Sequence, residues 1–402
     1  MANTDSGEAQ DADWLLSPEA IRTQARALAE YCTAGHSEHF AVDRDQLAAC
    51  ADEVVTTIRA AYPTLEVPPH ARWRHFVLNG RDRWAERMDW QWQTVAERAR
   101  RECEVAILSV LLDAGAGPNW RYRDKDGTIF TRSEGLALAS LDMFFDGAFG
   151  EKAMEVDVHR LASFGPLDLA RGFQVNPGNP LEGVAGRAEL IANLGKAVLA
   201  RSDIFGETPR LGGIADRLMH RRTSVPAREI LIAVLDALGP IWPGCPVVDG
   251  RHLGDCWAHD QAPGPGMVPF HKLSQWLSYS LVEPLQRAGC RVTELDDLTG
   301  LAEYRNGGLF LDTGVLALKD PELAEAEHDL DSPLIVEWRA LTIVLLDEIA
   351  DLVRDRLGKS VEEMPLAAVL EGGTWATGRR LAAKLRPGGS PPLAIRSTGT
   401  VF

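Results

Sequence analysis

Apolar residues return every three or four positions along much of the chain, the spacing that lays one buried stripe along a helix. Cys103, Ala106, Ile107, Val110 and Leu111 form one such stripe, and Ile230, Leu231, Val234, Leu235 and Leu238 form another. A third, Leu334, Trp338, Leu341, Leu345 and Ile349, runs on to Arg354 and Arg356. It predicts a helix that stops near Gly358 with cations at the negative end of its dipole. Strand spacing is confined to Gly127–Phe130, Gly308–Leu311 and Leu393–Ile395, short runs beside glycine or proline. Neither a repeat of fixed length nor a regular alternation of strand and helix is present, which disfavours solenoids and doubly wound sheets. The expected fold is mainly α, helical with at most a small β element.

Two stretches rich in glycine and proline interrupt this pattern, Gly165–Gly183 and Gly239–Pro269. They suggest an acidic, disordered tail over residues 1–13, an N-terminal helical region over 14–164 and a C-terminal helical region over 165–402. The last two stand apart or form one compact unit. The second stretch reads as a long structureless loop, uncommon inside a domain and often functional. The apolar chain end, Gly399–Phe402, is expected to be packed.

Composition narrows the function. With 402 residues, 45% hydrophobic and 25% charged, the chain is long enough and apolar enough to build ordered cores. Its 42 basic and 58 acidic residues leave a formal charge of −16, so broad neutralisation of duplex nucleic acid is excluded while a small basic pocket is not. No apolar run is long enough to span a bilayer, and Asp5, Glu8, Asp11 and Asp13 stand where a signal peptide needs a basic and then an apolar segment. A cytoplasmic protein without a membrane partner is expected. Six cysteines without a CxxC pair read as reduced thiols. Cys245, His252, Cys256, His259 and His271 lack the paired spacing of a zinc site, so neither a metal nor a cofactor is expected.

Five segments could carry chemistry. Arg72–Arg101 holds eight arginines and four acids interleaved with Trp73, Phe76, Trp84, Trp90 and Trp92. Guanidinium forks suit phosphate, and Arg74, Arg81 and Arg83 flank Asn79-Gly80. After the long loop, Lys272, Gln275 and Tyr279 form a polar stripe beside the apolar face of Leu273, Trp276, Leu277 and Leu281. In Leu298–Gly308, Glu303, Tyr304, Arg305 and Asn306 stand next to a Gly-Gly turn that could point them at one small molecule. Glu337-Trp-Arg339 and Glu371-Gly-Gly-Thr-Trp375 are further polar and aromatic clusters.

The strings WRHF (Trp73–Phe76), FQVNPGNPLEG (Phe173–Gly183), LGPIWP (Leu238–Pro243), VPFHKLSQWLSYSLVEPL (Val268–Leu285), LTGLAEYRNGGL (Leu298–Leu309), VEWRALT (Val336–Thr342) and LEGGTWATGR (Leu370–Arg379) resemble the family of the fungal uracil-catabolism protein four. The resemblance covers nearly the whole chain. It implies a role in the pyrimidine degradation route that passes through the nucleotide and a ribosylurea-type intermediate to urea. The Phe-His-Lys-x-x-Gln string followed by Glu-Tyr-Arg is also similar to strings of queuosine-nucleotide N-glycosylases, with Glu303 where those carry Asp. That second resemblance implies an architecture like that of helical DNA glycosylases.

Together they imply an N-ribosyl hydrolase that releases urea from a nucleotide or nucleoside substrate. Glu303 and Lys272 would be catalytic, and His271, Gln275, Trp276, Tyr304, Arg305, Asn306, Arg339 and Trp375 would bind substrate. Of these, Arg305 and Arg339 would hold phosphate, and Trp276 or Trp375 would form an apolar wall. The alternatives are a non-catalytic nucleotide-binding or assembly protein of the same route, and an amidohydrolase acting on the ureido group.

Overall fold

The computed structural model describes residues 12–88, 94–242 and 244–396. The expectations for the tail up to residue 11, for Trp90 and Trp92, and for Gly399–Phe402 lie outside these residues. Residues 12–15 form a helical turn with Ala12 buried, so the expected tail does not extend to residue 13.

The fold is mainly α. In chain order the longer helices are α1 (Pro18–Thr33), α2 (Leu47–Ala61), α3 (Val95–Leu111), α4 (Arg132–Phe145), α5 (Val184–Ala200), α6 (Ala227–Leu238), α7 (Lys272–Arg287), α8 (Tyr304–Asp312), α9 (Pro333–Leu357) and α10 (Trp375–Leu385). Their ends follow local chemistry. Ser17 accepts from the backbone of Ala20 to open α1, Thr94 does the same from Glu97 to open α3, and Gly358 closes α9 in the left-handed conformation, φ 64°. The strands of the described residues make seven two-stranded pairings and no larger sheet. Among them, Tyr122–Arg123 pairs with Ile129–Phe130, and Glu327–His328 pairs with Ala394–Ile395. No helix of the described residues is long and apolar enough to cross a membrane.

Two sequence expectations give way. Gly308–Leu311 lies inside α8, and the expected Gly-Gly turn is helical. A Cβ on Gly307 would sit 2.8 Å from both Trp338 and the Thr342 hydroxyl, so these glycines serve close helix packing rather than a turn. The stretch Gly239–Pro269 is not structureless: it holds a short helix (Gly239–Ile241) and two small hairpins, Val247–Val248 with Arg251–His252 and Cys256–Ala258 with Met267–Pro269.

Contacts divide the chain into two units, and the division does not fall near residue 165. One unit draws on the chain up to His70, Pro246–Gln275 and Glu294–Arg396, the other on Ala71–Cys245 and Trp276–Thr293. The chain thus passes from one to the other within α7. In the first unit, α1 and α2 pack on α9, and α8 packs between α9 and α10. Helix α9 is its axis, with Leu334, Trp338, Leu341, Leu345 and Ile349 all buried. In the second, α3 packs on α4 and α5 lies against the short helix Val158–Ala162.

Candidate functional site

Two helix N-termini of the first unit carry the two residues singled out for chemistry. Glu303 is the N-cap of α8. Its backbone is extended, and its Oε2 and Oε1 accept the backbone N–H groups of Arg305 (2.8 Å) and Asn306 (2.6 Å). Lys272 is the first residue of α7, half-buried, and its backbone N–H donates to Oδ2 of Asp255 at 2.9 Å. The ammonium of Lys272 lies close enough for its charge to favour the ionised form of Glu303. Burial pushes the Glu303 carboxyl above the ordinary glutamate range, against the two N–H groups and the charges of Lys272 and Arg305, which pull it down.

Beneath this pair lies a buried ion pair. Arg339 on α9 donates through Nη1 and Nη2 to Oδ1 and Oδ2 of Asp255, at 2.8 and 2.6 Å, and its Nε donates to the carbonyl of Ala302 at 3.2 Å. Its guanidinium lies 4.1 Å from the ring centroid of Phe270, and Trp257 Nε1 donates to Asp255 Oδ1 at 2.7 Å. Burial alone would raise the Asp255 carboxyl. The charge and paired hydrogen bonds of Arg339, with the N–H groups of Lys272 and Trp257, outweigh it and hold the carboxyl at about 2. A second tie joins the same two segments: Gln275 Nε2 donates to the Thr299 hydroxyl at 2.9 Å. Of the stripe read as polar, Gln275 and Tyr279 are therefore buried and Lys272 half-buried, with Thr299 as the partner of Gln275.

The other residues called from the sequence take distinct places. His271 is buried, in the left-handed conformation (φ 46°), with Nε2 bonded to the carbonyl of Leu15 at 2.9 Å. Burial lowers its imidazole below the ordinary range, which keeps the ring neutral. Arg305 donates to the carbonyl of Gly389 at 2.8 Å and lies 4.8 Å from the ring of Tyr304. Asn306 is buried, donates to the carbonyl of Leu301 at 3.1 Å and accepts from the Thr374 hydroxyl at 2.9 Å. That last bond brings in a π-helical turn, Leu370–Thr374, a distortion that recurs at functional sites. Glu371 on this turn meets His70 Nδ1 at 2.6 Å, and half-buried Trp375 lies beside His70 with Arg379 over its ring.

Some expectations are corrected. The fork of Arg339 is taken up by Asp255, so it is not presented to a phosphate. Trp276 falls in the second unit, where His75 meets its ring edge-on and the guanidinium of Arg72 lies 5.5 Å from its centroid. The arginines expected to hold phosphate there are paired: Arg74 with Glu283, Arg81 with Glu86 at 2.8 Å, and Arg83 with Asp124 at 2.7 Å. Asp255 and His70 escape sequence reasoning, while Thr299 lies unremarked within the flagged segment Leu298–Gly308. Asp255 lies 84 positions from Arg339, with no motif around it, whereas Glu371 stands in a flagged cluster and needed only its partner. Among the described residues no group of three or more His, Cys, Asp or Glu side chains is arranged to hold a metal ion.

The family described as "Protein of unknown function (DUF1688)" matches residues 14–402. Protein urg3 of Schizosaccharomyces pombe is 39% identical over 404 positions, covering 96% of this chain and 98% of that protein. Uracil catabolism protein 4 of Lachancea kluyveri is 36% identical over 435 positions, covering 97% and 98%. With the family match reaching from residue 14 to the end and both relatives aligned over nearly their whole length, this chain belongs to the DUF1688 family.

Proposed function

We propose that this chain acts in uracil catabolism, the process named in one relative, as an N-ribosyl hydrolase on a ribosylurea or another ring-opened pyrimidine nucleotide. The observation that carries this reading is a carboxylate, Glu303, fixed by two backbone N–H groups at a helix start, with the charge of Lys272, thirty-one positions away in sequence, acting on it.

Breaking the C1–N bond leaves positive charge on the sugar. A carboxylate held beside C1 stabilises that charge and orients the water that replaces the departing nitrogen. The electron pair of the broken bond leaves with the urea nitrogen, which takes up a proton as the water gives one up. Lys272 would meet either that leaving group or a phosphate. Incubation with ribosylurea 5-phosphate, in which the three-carbon part of the opened ring is already gone, should release urea and ribose 5-phosphate in equal amounts, read by mass spectrometry. Ammonia with an intact sugar–nitrogen bond would instead identify an amidohydrolase.

One observation favours a second reading, a binding protein that carries the nucleotide without turnover. Both oxygens of Glu303 are engaged as a helix cap, a role that needs no substrate. Under that reading the nucleotide binds and no urea appears.

A further inference from the structure

We propose that Asp255 and Arg339 are positioning residues, a buried pair that fixes the separation between the Lys272 ammonium and the Glu303 carboxylate by gripping the backbone at the root of each. The inference rests on the reading of Lys272 and Glu303 as the reacting pair, and it extends that reading to two residues that would touch no substrate.

The grip is visible bond by bond. Oδ2 of Asp255 is shared between Nη2 of Arg339 and the N–H of Lys272, at 2.6 and 2.9 Å. The backbone carbonyl of Asp255 accepts the N–H groups of Phe270 (2.9 Å) and His271 (3.1 Å). Three consecutive N–H groups leading into α7 are therefore tied to one residue, and between them His271 is held in a left-handed conformation that a histidine seldom adopts. At the other end Nε of Arg339 donates to the carbonyl of Ala302, the residue before Glu303. A guanidinium is planar and its donors keep a fixed geometry, so the Asp255 and Ala302 contacts cannot slide independently. The stack on Phe270 fixes the plane itself.

Stability alone explains this arrangement poorly. A buried ion pair offsets its own desolvation at best, and apolar side chains of the same volume often do as well. What an apolar pair could not do is accept from Lys272 and donate to Ala302. Groups meant to act on one substrate need their spacing held to within about 0.5 Å, and the pair supplies a rigid strut between the two.

The test measures coupling between Lys272 and Glu303 without substrate. A nearby carboxylate keeps an ammonium protonated and so slows its acetylation. Parent, E303Q, D255N/R339Q and D255N/R339Q/E303Q proteins are treated with limiting acetic anhydride at pH 8. Labelling of Lys272 is then read by peptide mass spectrometry against exposed Lys125. The double variant replaces the ion pair with two neutral amides, leaving the net charge beside Lys272 unchanged.

Glu303→Gln should speed Lys272 labelling by about tenfold in the parent and by less than about twofold in the D255N/R339Q background. An equal factor in both backgrounds, or no effect in the parent, overturns the proposal. If the double variant shows no cooperative thermal transition, Arg339→Lys takes its place, since it keeps the charge and loses both the fork and Nε. Coupling at the parent level in folded R339K also overturns the proposal. Urea release by the parent is scored separately: lost coupling without urea release would leave the strut standing and the hydrolase reading fallen, and the reverse result would do the opposite.

Discussion

Replacing Glu303 with Gln separates the two roles this side chain could have. The glutamine keeps one carbonyl oxygen, so it can retain one of the two backbone N–H acceptors now supplied at 2.8 and 2.6 Å. Losing the second bond and the negative charge at the start of α8 costs about 1 kcal/mol. Part of that is returned, because burial disfavours the charged carboxylate and the neutral amide escapes this penalty. A domain stable by roughly 5 kcal/mol or more stays over 99% folded after such a loss. Transition-state charge is a different matter: removing a fixed group beside a developing charge costs roughly 100-fold or more in turnover, about 2.7 kcal/mol. The two effects therefore differ in both size and readout. Thermal unfolding gives the first, and single-turnover release of urea from the ring-opened nucleotide ribosylurea 5-phosphate gives the second. Calorimetric titration of the same nucleotide should find its affinity changed by less than about threefold. A variant that turns over at the parent rate, or that loses affinity in proportion to its rate, refutes the catalytic assignment and leaves Glu303 a helix cap.

Three further outcomes follow from particular contacts. Under the hydrolase reading turnover needs ionised Glu303, whose carboxyl is raised, so the rate should drop as the pH is lowered through a midpoint above the ordinary glutamate value of about 4.3; a pH–rate profile with its midpoint at or below that value contradicts the site electrostatics. Arg187, its guanidinium brought down to about 10 by burial, donates to the carbonyls of Ala114 (2.6 Å), Gly115 (2.7 Å) and Glu182. Arg187→Met should cost roughly 3 kcal/mol in urea unfolding, because the buried carbonyls of Leu112 and Ala114 lose their donor. A Cβ on Gly378 of α10 would collide with the backbone carbonyl of Arg305, so Gly378→Ala should lower stability by about 1–3 kcal/mol. It should also reduce turnover measured well below the melting temperature, since the start of α8 moves with it; unchanged turnover would show that α8 tolerates the shift.

What could be read in the sequence was what repeats locally. Leu334 to Ile349 with Arg354, Arg356 and Gly358 marks α9 because periodicity, dipole and stop signal agree within one segment. Gly307 and Gly308 misled because a glycine pair signals a turn equally well when it serves close packing, here of Gly307 against Trp338 and Thr342 and of Gly308 beside Pro392. Lys272 and Glu303 could be proposed from residue type and resemblance, but Asp255 could not, since its meaning depends on a partner 84 positions away. Arg339 was legible as a cation but not as half of a buried ion pair, because sequence shows a charge and not the carboxylate already facing it.

The nested order of the two units has a consequence for synthesis. Arg22 on α1 pairs with Asp347 on α9, 325 positions later, and the buried face of α1 includes Ala20, Ile21, Gln24, Ala25 and Leu28. At translation rates of about 5–20 residues per second, roughly 15–60 s pass between the emergence of these two helices. During that interval α1 and α2 are on hand with their apolar faces uncovered while the whole of Ala71–Cys245 is being made. Pairings of such long sequence separation fold slowly and leave apolar surface open to aggregation. Shielding of the first helices on the ribosome should therefore raise the yield of folded protein, and slowing elongation ahead of α9 should lengthen their exposure.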